Sequence, residues 1–400
     1  MELTSPGSTL GVVGGGQLGR MLGEAAGPLG VELVVSDPTP DCPASPVVRD
    51  QVVGAFGDYE TLRELAERAD VLTYEIELAD PDTLARVSQE TGTPVHPDPD
   101  TLRTIQDKLR QNESYAGAGI PAPEFRQVDD PGDLRDAGEE LGWPVMLKAR
   151  EGGYDGRGNL PCESPEDAES ALAEVGGGNA VAERMVPFER ELAVIGCRGP
   201  DGIDTFPVTE TIHREEILRE SVSPARTDAA TLERAEAVAR EVLGTLDGRG
   251  VYGIELFECT SPRDASASGE RSDSPAGDIL VNEVAPRPHN SGHWTIEGCD
   301  VSQFEQHVRA VMGLPLGSTR RRAPTVSANV LGDVDETREA RLTGVDEALS
   351  VPRLAMHWYG KREVRPLRKM GHVTLTGEDE APMDDLLAEV RAVRDGLTFR

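Results

Sequence analysis

The chain has 400 residues, enough for two or three domains at ~150 residues each, and 38% of them are hydrophobic. Its 72 acidic against 40 basic residues give a net charge of -32, which argues against the basic footprint of a nucleic-acid-binding protein. No run of ~20 apolar residues could span a membrane, and no charged segment precedes an apolar core at the N-terminus. The expectation is a soluble, cytoplasmic protein without a signal peptide.

The first hundred residues alternate strands with helices. Leu10 to Val13 is predicted as a buried strand, and Gly14 to Gly19 turns into a helix through Arg20 to Leu22. Further strands are predicted at Val31 to Pro38, Val52 to Val53 and Val71 to Tyr74, with a helix from Tyr59 to Arg68. Strand, helix, strand in repetition is a parallel α/β unit. One helix is expected over Leu102 to Ala118, stopped by Gly119 and Pro121. Val145 to Lys148 is a strand feeding the glycine-rich Gly152 to Gly158. Short strands at Ala180 to Glu183 and Glu191 to Ile195 precede a helix from Thr231 to Leu243. Gly253 to Phe257 and Ile279 to Glu283 read as a strand pair. The Ser-, Asp-, Pro- and Gly-rich stretch between them, Thr260 to Asp278, is expected to be a disordered hairpin tip. Past Arg320 to Arg322, expected as a solvated run at a boundary, strands are predicted at Val326 to Leu331, Ala355 to Tyr359 and His372 to Leu375.

The turn from Gly14 to Gly19 satisfies GxGxxG between a strand and a helix, and Asp37 lies about 20 residues further on. Alone, this favours an NAD-dependent oxidoreductase. The same turn serves phosphates of other ligands, or tight packing alone, and the chain shows no evident hydride site. The second glycine loop says more. Gly152 to Gly158 holds four glycines in seven residues directly after the strand bearing Lys148, so backbone N–H groups and one lysine converge on a polyphosphate. A flexible surface turn is the plain alternative.

Glu255 and Glu283 sit on short apolar strands made neighbours by the hairpin, and paired carboxylates suit the Mg²⁺ of a nucleotide. Ordinary solvent-facing glutamates are the alternative. Alternation disfavours it for Glu255, because Tyr252, Ile254 and Leu256 share the opposite face. Ala285 to Trp294 follows as a polar loop suited to a small oxyanion. Lys361, Arg362, Arg365, Arg368 and Lys369, with His357 and His372, form a positive island in an acidic chain and suggest a second phosphate site. Lysine occurs only at Lys108, Lys148, Lys361 and Lys369, all in or near these motifs; arginine supplies the remaining basic residues. That usage, with a sequence pI near 4.6, is like that of extreme halophiles, whose surface repulsion is screened at ~1 M salt. The five cysteines share no ligand spacing and are expected as buried thiols. The residues themselves point to an ATP and Mg²⁺ enzyme acting on an anionic, phosphorylated substrate.

In order and spacing, GGGQLGRM, GGYDGRG, NEVAPRPHNSGHW and HWYGKREVRPLRKMGH closely resemble the N5-carboxyaminoimidazole ribonucleotide synthetase family of purine biosynthesis. The resemblance runs from about Leu10 to Leu375 and implies an α/β (α+β) ATP-grasp fold. A Rossmann-like pre-ATP-grasp domain would occupy residues 1–100, the ATP-grasp domain 101–314 with a lid over about 125–187, and a small, mostly-β C-terminal domain 315–400. The implied reaction joins bicarbonate to the exocyclic amine of 5-aminoimidazole ribonucleotide, converting ATP to ADP and phosphate, in a homodimer without nucleic-acid or membrane partners. Another ATP-grasp ligase on a purine intermediate is the nearest alternative; an inactive nucleotide-binding relative is a more distant one.

The resemblance assigns ATP to Lys108, Lys148, Gly153, Tyr154, Asp155, Gly156, Arg157, Gly158, Asn159, Glu183, Arg184, Met185, Val186, Glu191, His213, Asn282 and Glu283. Glu183 would take the adenine amino group and Glu191 the ribose hydroxyls. Mg²⁺, or Mn²⁺, would sit on Glu255 and Glu283. Arg287, His289, Asn290 and Ser291 would hold bicarbonate, and Tyr154, Asp155 and Arg157 the aminoimidazole, Asp155 reaching its exocyclic amine. Lys361 and Arg368 would neutralise the ribonucleotide phosphate beside Gly16, Gln17 and Leu18, with Glu75 as a further substrate contact. Three departures stand out: lysine at position 108 where many relatives carry arginine, a long Thr260 to Asp278 tip, and Ala285 in place of an asparagine ligand, which leaves the third metal ligand open.

Overall fold

The computed structural model describes residues 7–152, 158–259, 278–379 and 381–400. The expected hairpin tip, apart from Asp278, and the glycine loop from Gly153 to Arg157 lie outside them. The N-terminal unit holds β1 (Thr9–Val13), α1 (Gln17–Ala26), β2 (Glu32–Asp37), β3 (Asp50–Val53), α2 (Tyr59–Glu67), β4 (Val71–Tyr74) and α3 (Pro81–Thr91). Its parallel sheet runs β3-β2-β1-β4. All of β1 is buried: Leu10 and Val12 pack with α1, and Val13 packs with α2 on the other face. A continuous apolar strand is what helices on both faces require.

The helix expected over Leu102 to Ala118 is two, α4 (Pro99–Gln106) and α5 (Lys108–Ala118). Asp107 breaks it. Its extended backbone ends α4, and its carboxylate accepts the Leu109 and Arg110 N–H groups as the α5 N-cap. Arg150 grips the same carboxylate through two hydrogen bonds.

A four-stranded antiparallel sheet, order β5-β8-β6-β7, then forms from β5 (Phe125–Val128), β6 (Val145–Ala149), β7 (Asn159–Cys162) and β8 (Ala180–Arg184). Helices α6 (Pro131–Leu141) and α7 (Ala168–Glu174) cover one face, burying Val145, Leu147, Ala180 and Ala182. The period of two therefore sends Lys148 and Glu183 to the opposite face.

The main sheet includes β9 (Phe188–Gly199), β10 (Gly202–Thr205), β11 (Thr209–Arg214), β12 (Ile217–Ser223), β13 (Gly250–Cys259) and β14 (Ile279–Ala285), with α8 (Ala229–Thr245) packed on Leu192, Val194, Tyr252, Ile254 and Leu256. The short α9 (Thr295–Gly298) and α10 (Gln303–Val311) follow. The same sheet continues through β12 into β15 (Thr325–Leu331), so it crosses the expected domain boundary at 314. Small strands β16 (Arg338–Glu339) and β17 (Leu342–Thr343) and helix α11 (Val345–Leu349) precede β18 (Leu354–Trp358), β19 (Glu363–Val364) and β20 (Lys369–Thr376). The order β14-β13-β9-β11-β12-β15-β20-β18 puts the basic C-terminal segment on the sheet that carries the two glutamates. Helix α12 (Met383–Asp395), not anticipated from the sequence, covers this end before β21 (Thr398–Phe399), its Arg391 and Arg394 both pairing with the buried Glu220.

Arg320 and Arg322 are exposed, as expected, and both pair with Asp300. All five cysteines are buried, as expected. No helix among the described residues is long and apolar enough to cross a membrane.

Candidate functional site

On β13 and β14, Glu255 stands opposite Glu283. The ladder slips by one residue between Glu255 and Leu256, whose partner is Val281. Asn282 is the extra residue of this bulge. Because Ile279, Val281 and Val284 all join the core, the consecutive Asn282 and Glu283 both face the site. Burial, and then Glu283, push the Glu255 carboxyl up, while Lys108 foremost, with Lys148, holds Glu283 down. The pair is thus short of positive charge on the Glu255 side, and Glu283 keeps 42% of its side chain exposed. These features fit a divalent cation. Among the described residues no group of three or more His, Cys, Asp and Glu could hold a metal unaided, so phosphate oxygens would have to complete the shell.

The cations come from separate elements. Lys108, at the start of α5, donates to Glu283 Oε2 at 3.1 Å. Lys148, 5% exposed, meets Glu183 Oε2 at 2.7 Å and Asn282 Oδ1 at 3.2 Å, joining the small sheet to the main one. Asn112, one turn after Lys108, donates to Glu183 Oε1 at 2.9 Å. The Glu183 carboxylate, expected to meet adenine, thus holds Lys148 and Asn112. Arg184 pairs with Glu124, and Met185 and Val186 are half-buried after β8. Gly152 and Gly158 flank the glycine loop with φ of +78° and +82°, and Asn159 opposes Lys148 across β6 and β7. Glu191 Oε2 lies 2.8 Å from His213 Nδ1. Burial disfavours charge on His213, but the bond to Glu191 and the nearby Glu255 outweigh it and raise its pKa.

After β14 the chain turns through Arg287 to Ser291 against β13. A Cβ on Gly253 would lie 2.4 Å from that of His289, so this approach requires glycine. His289 Nδ1 is 2.9 Å from Ser291 Oγ, and its Nε2 is 3.5 Å from Glu255. Burial first, then Arg287 and Lys369, bring His289 down to about 3, so it is neutral at physiological pH. Arg287 pairs with Glu77 at 3.1 Å. Its Nε and the Asn290 Nδ2 are buried donors with no hydrogen-bond partner among the described residues. Donors left over in such a loop suit an oxyanion.

A second cluster forms where the N-terminal turn meets the basic segment. Lys361 Nζ donates to Gln17 Oε1 at 2.7 Å and to the Lys369 carbonyl. Glu75 accepts the Gly16 N–H at 2.7 Å, and Asp37 accepts those of Gly15 and Thr39. With the Gly15 and Gly16 N–H groups already engaged by carboxylates, this turn lacks the dinucleotide-type pyrophosphate cradle that its spacing suggested. The Leu18 side chain packs into the core. Burial, then Arg368 and Lys369, bring Lys361 down to about 7; burial raises Glu75 to about 7. Arg287 and Lys361 both act on Glu75, so the two clusters adjoin. Arg368 donates to the Glu363 carbonyl.

The structure thus brings Lys108, Lys148, Glu183, Asn282, Glu283, Glu255, Glu191, His213, Arg287, His289 and Ser291 around one space, with Gly16, Gln17, Glu75 and Lys361 beside it. The expected roles of Gly153, Tyr154, Asp155, Gly156 and Arg157 lie outside the described residues. Sequence reasoning did not assign Asn112 or Glu77 to the site, and had Lys369 only as part of the basic island.

Lysines facing a glutamate pair between two sheets define an ATP-grasp enzyme, and residues 113–304 match the family described as ATP-grasp domain. Residues 8–106 match the ribonucleotide synthetase preATP-grasp domain, and 325–385 the phosphoribosylaminoimidazole carboxylase C-terminal domain. The N5-carboxyaminoimidazole ribonucleotide synthase of Brucella melitensis is 40% identical over 94% of this chain and 98% of its own. The chloroplastic phosphoribosylaminoimidazole carboxylase of Vigna aconitifolia is also 40% identical, but this chain spans only 66% of its length. The Aspergillus clavatus N5-carboxyaminoimidazole synthase, solved with ADP and 5-aminoimidazole ribonucleotide, superposes with a TM-score of 0.86 at 34% identity, covering 98% of this chain and all of that one. The chain belongs to the N5-carboxyaminoimidazole ribonucleotide synthase family.

Proposed function

We propose that this enzyme carboxylates the exocyclic amine of 5-aminoimidazole ribonucleotide with bicarbonate, converting ATP to ADP and phosphate. The observation that carries the reading is Glu255 facing Glu283, with Lys108 and Lys148 against the latter and the Arg287 to Ser291 loop against the former. Bicarbonate is a poor electrophile, because hydroxide is a poor leaving group. A bicarbonate oxygen attacks the γ-phosphorus, the bond to ADP breaks, and carboxyphosphate results. The amine attacks its carboxyl carbon, phosphate departs and one proton is lost.

Glu255 and Glu283 would hold Mg²⁺ or Mn²⁺, which when bound neutralises the nucleotide's phosphates. Lys108 and Lys148 face those phosphates, and catalysis is positioning and charge neutralisation. Arg287, Asn290 and Ser291 offer donors to bicarbonate, while neutral His289 fixes Ser291. Glu191 and His213 take the nucleotide's ribose end. Lys361, with Gln17 and Arg368, meets the ribonucleotide phosphate, and Glu75 holds the Gly16 turn beside it. Tyr154, Asp155 and Arg157 for the aminoimidazole, a homodimer and a cytoplasmic setting rest on the family resemblance alone.

ADP release in Mg²⁺ and ATP should depend on both bicarbonate and the ribonucleotide. ADP release in folded protein that ignores the ribonucleotide would remove this substrate.

A further inference from the structure

The Arg287 to Ser291 loop is irregular up to a single 3-10 turn at Asn290–Gly292, yet its donors must keep fixed directions for an anion to be bound productively. What fixes it is a side chain outside the loop. Gln303, the first residue of α10, is fully buried. Its Oε1 accepts the His289 N–H at 2.9 Å, and its Nε2 donates to the His289 carbonyl at 2.7 Å. One planar amide thus holds both polar groups of the residue at the loop's centre. Its orientation is unambiguous, since the reversed amide would set donor against donor and oxygen against oxygen. Nε2 also lies 3.2 Å from His293 Nδ1. Gln303 is itself held: its N–H donates to Thr295 Oγ1 at 2.9 Å, and that hydroxyl donates to the Gly292 carbonyl at 2.6 Å. A Cβ on Gly292 would lie 2.7 Å from Gln303 Oε1, so no larger residue fits between clamp and loop.

We infer that Gln303 is a positioning residue for bicarbonate: it clamps the His289 backbone so that the Arg287, Asn290 and Ser291 donors meet the anion and keep carboxyphosphate in place. This rests on the carboxylation proposed above. Gln303 touches no substrate. Ionised glutamate has the same shape but cannot donate, so Gln303→Glu assayed above the pKa of its carboxyl sets an oxygen against the His289 carbonyl. Methionine fills the volume and makes neither bond.

The inference is tested by steady-state kinetics of Gln303→Glu and Gln303→Met alongside the parent enzyme, together with the ratio of ADP released to ribonucleotide carboxylated. A misplaced reacting group costs on the order of 10- to 100-fold. Both variants should lose about that much kcat/KM for bicarbonate, with the KM for ATP within about twofold, and their ADP-to-product ratio should rise above that of the parent as carboxyphosphate escapes. Should they not fold, Thr295→Val removes only the hydroxyl behind the clamp, with the same signature at about threefold. Unchanged bicarbonate kinetics and coupling, or equal losses for ATP and bicarbonate, would overturn the inference. A parent enzyme that ignores bicarbonate would overturn the carboxylation reading instead.

Discussion

The two ends of the site handle charge in opposite ways. At the nucleotide end, Lys108 and Lys148 each rest on a carboxylate, Glu283 and Glu183. At the end proposed for the ribonucleotide, Lys361 donates to a side-chain oxygen of Gln17 and a backbone carbonyl and lies over the Tyr359 ring, and other cations crowd it. The first end is ion-paired before any ligand arrives, although burial and Glu283 also raise the Glu255 carboxyl there. The second holds an under-compensated amine and a buried carboxyl, Glu75, both brought to about 7. On the proposed reading, the ribonucleotide's dianionic phosphate would supply the counter-charge for that amine.

Substitutions should separate the ends. The largest effect is expected for Glu255→Gln and Glu283→Gln, which remove the cation-holding pair. ADP formation should fall by about 10³-fold, and a loss under about tenfold would refute the assignment. Next comes Lys361→Met: the KM for the ribonucleotide should rise by about 30-fold, that of ATP staying within about twofold. Equal changes in both would dissolve the contrast between the ends.

The pH dependence sharpens it further. An amine lowered to about 7 is charged below that pH and loses its charge above it, so the KM for the ribonucleotide should climb by about tenfold from pH 7 to 8.5. In Lys361→Arg, which stays charged, the climb should shrink to the part that ionisation of Glu75 contributes. The smallest effect concerns the scaffold. Asp107→Ala removes the α5 cap and the Arg150 partner, and should lower stability by about 2 kcal/mol in urea unfolding. An unchanged midpoint would show that Lys108 is placed by something else.

Much of this arrangement was legible in the sequence, for identifiable reasons. Alternation around Glu255 is clean enough to turn it away from Tyr252, Ile254 and Leu256, whereas strict alternation would group Glu283 with the core residues Ile279 and Val281. The lysine scarcity marked Lys108, Lys148 and Lys361. The bulge at Asn282 was not legible, since an extra residue in a ladder leaves no trace in composition. Nor was the break at Asp107, where an unbroken polar helical pattern hides a carboxylate that serves as cap and arginine partner at once. The glycine turn at Gly14 to Gly16 misled in the opposite direction: its spacing is that of a dinucleotide site, but Asp37 and Glu75 occupy its N–H groups. Gln303 lies far from His289 in sequence and belongs to no motif, so only the folded chain shows what it holds.

The central claim is that bicarbonate is activated as carboxyphosphate at the glutamate pair. Its most direct test is turnover with ¹⁸O-labelled bicarbonate in unlabelled water, followed by mass analysis of the released phosphate. Attack by a bicarbonate oxygen on the γ-phosphorus requires one labelled oxygen in each phosphate formed during carboxylation. Unlabelled phosphate accompanying a carboxylated product would contradict the account.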